Sequence, residues 1–346
     1  MTKEMTLALV CTALMTAACT MEQEGSDEGD GLDEDGMLDE LGPEENVGQT
    51  SDALESGWPV SSGSLLGKTA VKIPGCTGVI IGKRDVLTAA HCNPMAGATV
   101  SFYDGSQIIA GVTRTVSFRA LLPGVNPSTN DLTDTSGKFA DIAYLRLNAD
   151  IPSSSQPARL PISYPGNQVW GYRVGAGLHQ GYNPEWTLHY DTGLTYSSHI
   201  NDGHFLLNEA DTNPGDSGGP FHIWANNGSS STYEVHGVLY GKVWEWAYRN
   251  KYTSTVHHLS WIVDNLAFDY LDYISWQSNY RHFGTVLQTL YPEQDYAGVC
   301  EYICKQRPEC EGVNYRVRSG ADMCQLMSSI TYTGPYNGYD AGTRYP

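Results

Sequence analysis

A serine hydroxyl is a useful nucleophile only with a base to take its proton, a carboxylate to orient that base, and donors aimed at the oxyanion that forms. Ser217 stands in the run Gly215-Asp216-Ser217-Gly218-Gly219-Pro220. The two glycines after it leave little side-chain bulk, so the backbone can bend sharply and a substrate can approach. The amides of Gly215 and Ser217 would then point into one small space able to bind a developing negative oxygen. Upstream, the apolar run Val86-Leu87-Thr88-Ala89-Ala90 ends in His91 beside Cys92, and Asp141 heads Ile142-Ala143-Tyr144-Leu145-Arg146-Leu147. Taken singly, His91 could be a satisfied core histidine beside a structural disulfide, and Asp141 a turn residue opening a strand. The run around Ser217 is more specific, because a plain turn rarely needs Asp, Ser and three glycines together before a proline.

These residues have to be positioned by strands. From about Trp58 onward, short β-rich runs alternate with Gly, Pro, Asn and Asp: Cys76 to Gly82, Asp85 to Cys92, Ala98 to Tyr103, Ile108 to Phe118, Asp141 to Leu147, Val169 to Val174, Thr187 to Tyr196, His204 to Leu207 and Val235 to Val243. Strands at such spacing with turn signals between them predict a barrel or a sandwich. The composition agrees, with 37 glycines, 22 tyrosines against 7 phenylalanines, and only 17% charged residues. One helix is predicted, from about Val256 to Tyr270, with Leu259, Ile262, Val263 and Leu266 on one face.

In type and order these runs resemble the chymotrypsin-like, or trypsin, family of serine proteases. There a strand ending Thr-Ala-Ala-His-Cys delivers the catalytic base, an Asp-Ile-Ala strand delivers the orienting acid, and the nucleophile comes last in the chain. The resemblance implies a mainly β fold of two barrels with a C-terminal helix over 57–272, and a secreted serine endopeptidase with His91, Asp141 and Ser217 as its triad. It also implies an oxyanion hole at Gly215 and Ser217, a Cys76–Cys92 disulfide, and no metal or organic cofactor. Asp211, six residues before the nucleophile, falls where the family floors its specificity pocket, implying cleavage after Arg or Lys. Two departures bear on that pocket: Asn213 stands where a cysteine usually closes it, and Gly237-Val238-Leu239-Tyr240-Gly241-Lys242 lacks the family's Ser-Trp-Gly run. Asp216 corresponds to the acid that pairs with a newly exposed amino terminus on activation; the plainer alternative is an Asp bonded to its own turn. A mature start at Asn46-Val47-Gly48-Gln49 matches the family poorly, and no Lys or Arg lies between Lys3 and Lys68 to permit self-cleavage there.

Beyond about Asp272 to Ser275 the strand runs become fragmentary and the cysteines crowd together. Cys300, Cys304, Cys310 and Cys324 resemble a PAN/apple domain over 276–346, which implies Cys300–Cys324 and Cys304–Cys310 bridges clamping a short helix on a small α+β unit. Such modules bind proteins or carbohydrates, so a catalytically silent protease-like binding protein is the rival reading, and an esterase on the same fold a second. At the other end, residues 1–18 have the layout of a secretory signal, with Lys3 ahead of an apolar stretch. Thr16-Ala17-Ala18-Cys19 also resembles a lipoprotein signal, making Cys19 a lipidation candidate and a lipid anchor the expected route to any membrane. Residues 19–56 read as an acidic, disordered linker or pro-segment. Fourteen acidic residues between Glu22 and Glu55 account for most of the formal charge of −19, leaving about −5 for the remainder. With no basic stripe, that remainder argues against nucleic acid as a partner; proteins or peptides as substrates are what the protease resemblance implies. A metal site is not predicted either, because the adjacent His257 and His258 cannot share a helix face at the four-residue spacing a zinc pair needs.

Overall fold

The computed structural model describes residues 57–178, 186–196, 199–208, 212–226, 231–245, 247–266, 273–292, 297–307, 309–317 and 322–345. The leader, the acidic segment with Cys19 and the 46–49 start, and Asp211 lie outside the described residues.

After a two-residue strand, β1 (Trp58–Pro59), a short helix α1 (Leu65–Thr69) is capped by Ser64, whose hydroxyl accepts from the Leu66 amide at 3.3 Å. Six antiparallel strands then form a closed barrel: β2 (Ala70–Ile73), β3 (Cys76–Ile80), β4 (Asp85–Thr88), β5 (Thr99–Asp104), β6 (Gln107–Leu121) and β7 (Ala143–Leu147), ordered β2-β3-β4-β7-β6-β5. Its β-branched and aliphatic residues suit a pleated, half-buried surface. Val71, Ile73, Ile80, Val86, Val100, Phe102, Val116, Leu145 and Leu147 pack into one cluster, each side chain contributing about 1.5–3 kcal/mol on burial.

The second set is β8 (Trp170–Gly175), β9 (His189–Tyr196), β10 (His204–Leu207), β11 (Pro220–Asn226), β12 (Ser231–Glu245) and β13 (Ala247–Ser254). They run β9-β10-β13-β12-β11-β8, and a β8–β9 pairing closes this ring too, with β1 added outside on β9. Two closed six-stranded barrels leave few free edges, and they establish the chymotrypsin-like architecture. Helix α2 (Leu259–Asn265) follows. It starts three residues later than the sequence predicts, because Val256, His257 and His258 form a turn and the first helical bond runs from Ile262 N to His258 O. Leu259, Ile262, Val263 and Leu266 are buried, as their spacing requires.

The C-terminal region departs further from expectation. Its strands are long rather than fragmentary: β14 (Tyr273–Leu290), β15 (Gly312–Arg316) and β16 (Met323–Tyr345) form a sheet ordered β14-β16-β15, with helix α3 (Ala297–Lys305) beside it. Repeated register shifts along the β14–β16 pair let their Tyr and Gly residues and Pro335 remain in one ribbon. Cys300–Cys324 ties α3 to β16, and Cys304–Cys310 ties its last turn to the approach to β15. The apolar cluster of α3 continues without a break into Leu160, Leu259, Ile262 and Val263 of the barrel region, and the Tyr302 hydroxyl accepts from Leu160 N at 3.0 Å. Among the described residues no helix is long and apolar enough to cross a membrane.

Candidate active site

Strands β4 and β7 pair antiparallel with Thr88 opposite Ala143. The residues just after β4 and just before β7 therefore emerge at the same end of the barrel, and these are His91 and Asp141. Asp141 has no exposed surface. One of its oxygens lies 2.7 Å from His91 Nδ1, and the other accepts the His91 backbone N–H at 2.8 Å. A carboxylate gripping both ring and backbone of one histidine fixes the ring's orientation and leaves Nε2 on the side away from the acid. The Asp141 carbonyl is held in turn by the Thr253 hydroxyl at 2.9 Å, a contact from the second barrel.

The turn carrying Ser217 enters from the other side and is pinned by backbone groups. Thr77 N donates to Ser217 O at 2.9 Å, Thr77 Oγ1 donates to Gly215 O at 2.8 Å, and Gly218 N donates to Leu239 O at 2.8 Å. Gly218 has φ +80°, and a Cβ there would stand 2.1 Å from Thr88 Oγ1 and 2.3 Å from Thr77 O, so only glycine lets the turn lie this close to the first barrel. The Cys76–Cys92 disulfide, its Cα atoms 6.2 Å apart, stiffens the same wall.

Ser217 Oγ donates to the Tyr240 carbonyl at 3.4 Å, and the Tyr240 ring meets His91 edge-on with centroids 5.7 Å apart. Tyr240 thus touches both the hydroxyl and the imidazole. The sequence marks Val235 to Val243 as a strand without the family's Ser-Trp-Gly run, and nothing in its spacing singles out Tyr240. Among the described residues the amides of Asp216, Gly218 and Gly219 donate to protein carbonyls, while those of Gly215 and Ser217 do not.

Asp216 is buried beneath this turn, with its carboxylate accepting from Gly177 N at 2.8 Å and Asn213 N at 2.9 Å. Asn213 replaces a covalent tie with a weaker one, donating from Nδ2 to Leu178 O at 3.1 Å. Its neighbour Thr212 donates to Asn250 Oδ1 at 2.7 Å inside the second barrel. An acid, an imidazole and a hydroxyl thus meet between two barrels, with Tyr240 against both the hydroxyl and the imidazole, an arrangement suited to acyl transfer.

The family model described as Trypsin matches residues 51–262. Among solved structures, mouse brain neuropsin, a serine protease expressed in the limbic system, is similar with 22% identity and a TM-score of 0.49, over 60% of this chain and 98% of that one. No curated protein matches the chain.

Proposed function

The chain belongs to the trypsin family of serine proteases, and from that premise we propose that it is an exported endopeptidase that cuts peptide bonds with Ser217, His91 and Asp141. The observation that carries this reading is the double grip of the buried Asp141 on His91, at 2.7 and 2.8 Å. A histidine serving only the core has no need of a buried carboxylate aligning both its ring and its backbone. In the reaction, His91 Nε2 takes the Ser217 proton as Oγ attacks the substrate carbonyl, and Asp141 stabilises the imidazolium. The amides of Gly215 and Ser217 receive the tetrahedral oxyanion. His91 then protonates the leaving amine, and water hydrolyses the acyl-enzyme by the same steps in reverse. The Ser217 hydroxyl has to leave the Tyr240 carbonyl for this, a tightening that substrate-free sites commonly require.

Asp211 is the proposed floor of the specificity pocket and favours Arg or Lys. Asp216 holds the nucleophile turn, and equal reactivity before and after amino-terminal processing would leave it that role alone. The leader-like residues 1–18 and the three disulfides support export, with Cys19 the proposed lipid attachment point. The C-terminal helix and sheet are proposed as a PAN-like module for a protein or carbohydrate ligand.

Covalent labelling with a fluorophosphonate probe tests the catalytic claim. Label on the wild type and none on Ser217→Ala is expected; no label on a folded, amino-terminally processed sample would leave a silent binding protein. Cleavage profiling tests Asp211, where preference for apolar residues would refute the Arg/Lys assignment.

A further inference from the structure

Away from the nucleophile, the loop between β6 and β7 meets the turn ahead of α2. There Asp134, His257 and His258 come together, with one ligand-capable atom from each lying within 4.8 Å of the others. We infer that these three side chains form a binding site for a single borderline divalent cation, zinc above all. Neighbouring histidines cannot chelate from one helix face. These two precede the helix, on a turn, and their rings stand at 82° with centroids 4.9 Å apart.

Each of the three has one atom engaged and one to offer. Asp134 Oδ1 accepts from Ser136 N, Ser136 Oγ and Lys138 N at 2.6–2.9 Å, and Oδ2 has no protein partner among the described residues. His258 Nε2 lies 3.0 Å from the Phe139 carbonyl, leaving Nδ1. His257 Nδ1 lies 3.3 Å from the Tyr164 hydroxyl, leaving Nε2. A backbone carbonyl or hydroxyl on the far nitrogen is how metal-bound imidazoles are usually oriented.

The nearby Lys138 ammonium is drawn to Asp202, 3.3 Å away. Two imidazoles and a carboxylate match zinc, whose ligands stand about 2.0–2.1 Å from the ion and so roughly 3.3 Å from one another. Binding would draw the three inward by up to about 1.5 Å, within reach of side-chain rotation. The other close group of ligand types, Cys76, His91 and Cys92, has both sulfurs locked in a disulfide.

The site would fasten the loop leading into Asp141 to the second barrel. Phe139, whose carbonyl orients His258, lies two residues before Asp141 and packs its ring against Tyr240 at 5.4 Å. Zinc here is therefore a brace behind the acid and does not enter the reaction.

The untagged full chain is titrated with Zn²⁺ against a chromogenic chelator, and with Co²⁺ while its visible absorption is followed. One ion per chain is expected, with a low-symmetry Co²⁺ spectrum and a thermal midpoint raised by Zn²⁺. Asp134→Asn keeps the Oδ1 acceptor and so the turn, yet it should weaken binding about 10–100-fold, as should His257→Gln. His199→Gln, in the neighbouring histidine pair with His204, should leave affinity unchanged. Equal affinity in wild type and folded Asp134→Asn, or loss of binding in His199→Gln, would overturn the assignment.

Discussion

The two barrels share a strand count and differ in what they bury. The first packs aliphatic side chains such as Val71, Ile80, Val86 and Leu145 into a continuous apolar cluster. The second buries the whole of Arg173 on β8 against Asp191 on β9 at 2.5 Å, and also His222 on β11 and Asn250 on β13. The contrast extends to the cleft. The first barrel's wall is closed covalently by Cys76–Cys92, whereas at Asn213 the second wall is tied by a hydrogen bond to Leu178. Rigid apolar packing suits the side that must hold an imidazole and a carboxylate in one geometry. Hydrogen-bonded polar packing suits the side proposed to shape the substrate pocket, because its contacts can be exchanged without opening a void.

The largest effect is expected where the first barrel meets the chemistry. Asp141→Asn keeps the volume and removes the charge, so it should lower kcat about 10⁴-fold with an unchanged near-ultraviolet circular dichroism spectrum. A drop of tenfold or less would mean that His91 is oriented by something other than Asp141. In the second barrel the matching test is Asp191→Ala, which strips the buried Arg173 of its carboxylate and should cost about 3–5 kcal/mol in urea unfolding. Replacing both, as Arg173→Met with Asp191→Leu, should recover most of that loss, since a hydrophobic pair of similar volume avoids the desolvation cost. If the double variant is no more stable than the single, the polar interior contributes packing that an apolar pair cannot supply.

Smaller is the covalent half of the contrast. Converting Cys76 and Cys92 to serine opens a loop with a sequence separation of 16 residues, which should cost about 3 kcal/mol by thermal or urea melting. Loss of turnover beyond that of stability would show that the bridge also holds the Ser217 turn, whose carbonyl lies 3.8 Å from Cys92 Sγ.

Much of the first barrel was legible because its signals are local. Periodic apolar runs marked β3 to β7, and His91 and Asp141 stood at the ends of two of them. The second barrel was read less completely. Strands β11 and β13 carry Pro220, His222, Arg249, Asn250 and Lys251 among their apolar residues, and polar side chains whose partners lie on other strands break the alternation that marks a strand. The place of Tyr240 beside both Ser217 and His91 is a matter of tertiary register that no spacing reveals. The same holds for Asp134, which lies more than a hundred residues before the adjacent His257 and His258 and meets them only when the barrels come together. In the C-terminal region, Gly and Pro within β16 read as breaks, although bulges accommodate them.

The polar interior also predicts where acid acts. His222 is fully buried, with Nε2 3.2 Å from Thr69 Oγ1, and burial, aided by His236, pushes its pKa down to about 3. His204 on β10 is pushed down to about 3 as well, by burial and then by Lys251. The unfolded chain protonates such histidines near 6.5, so below that pH it binds protons the native state refuses. Their contribution to stability is thus complete above about pH 6.5 and is lost as pH falls toward about 3, at up to about 1.4 kcal/mol per pH unit for each. His222→Gln, which keeps a polar group opposite Thr69, should flatten the dependence of urea stability on pH between about 6 and 4 by one such increment, while His204 maintains the remainder. An unchanged slope would mean that His222 is protonated in the native barrel, and the second barrel would then bury a cation beside Thr69 in addition to Arg173.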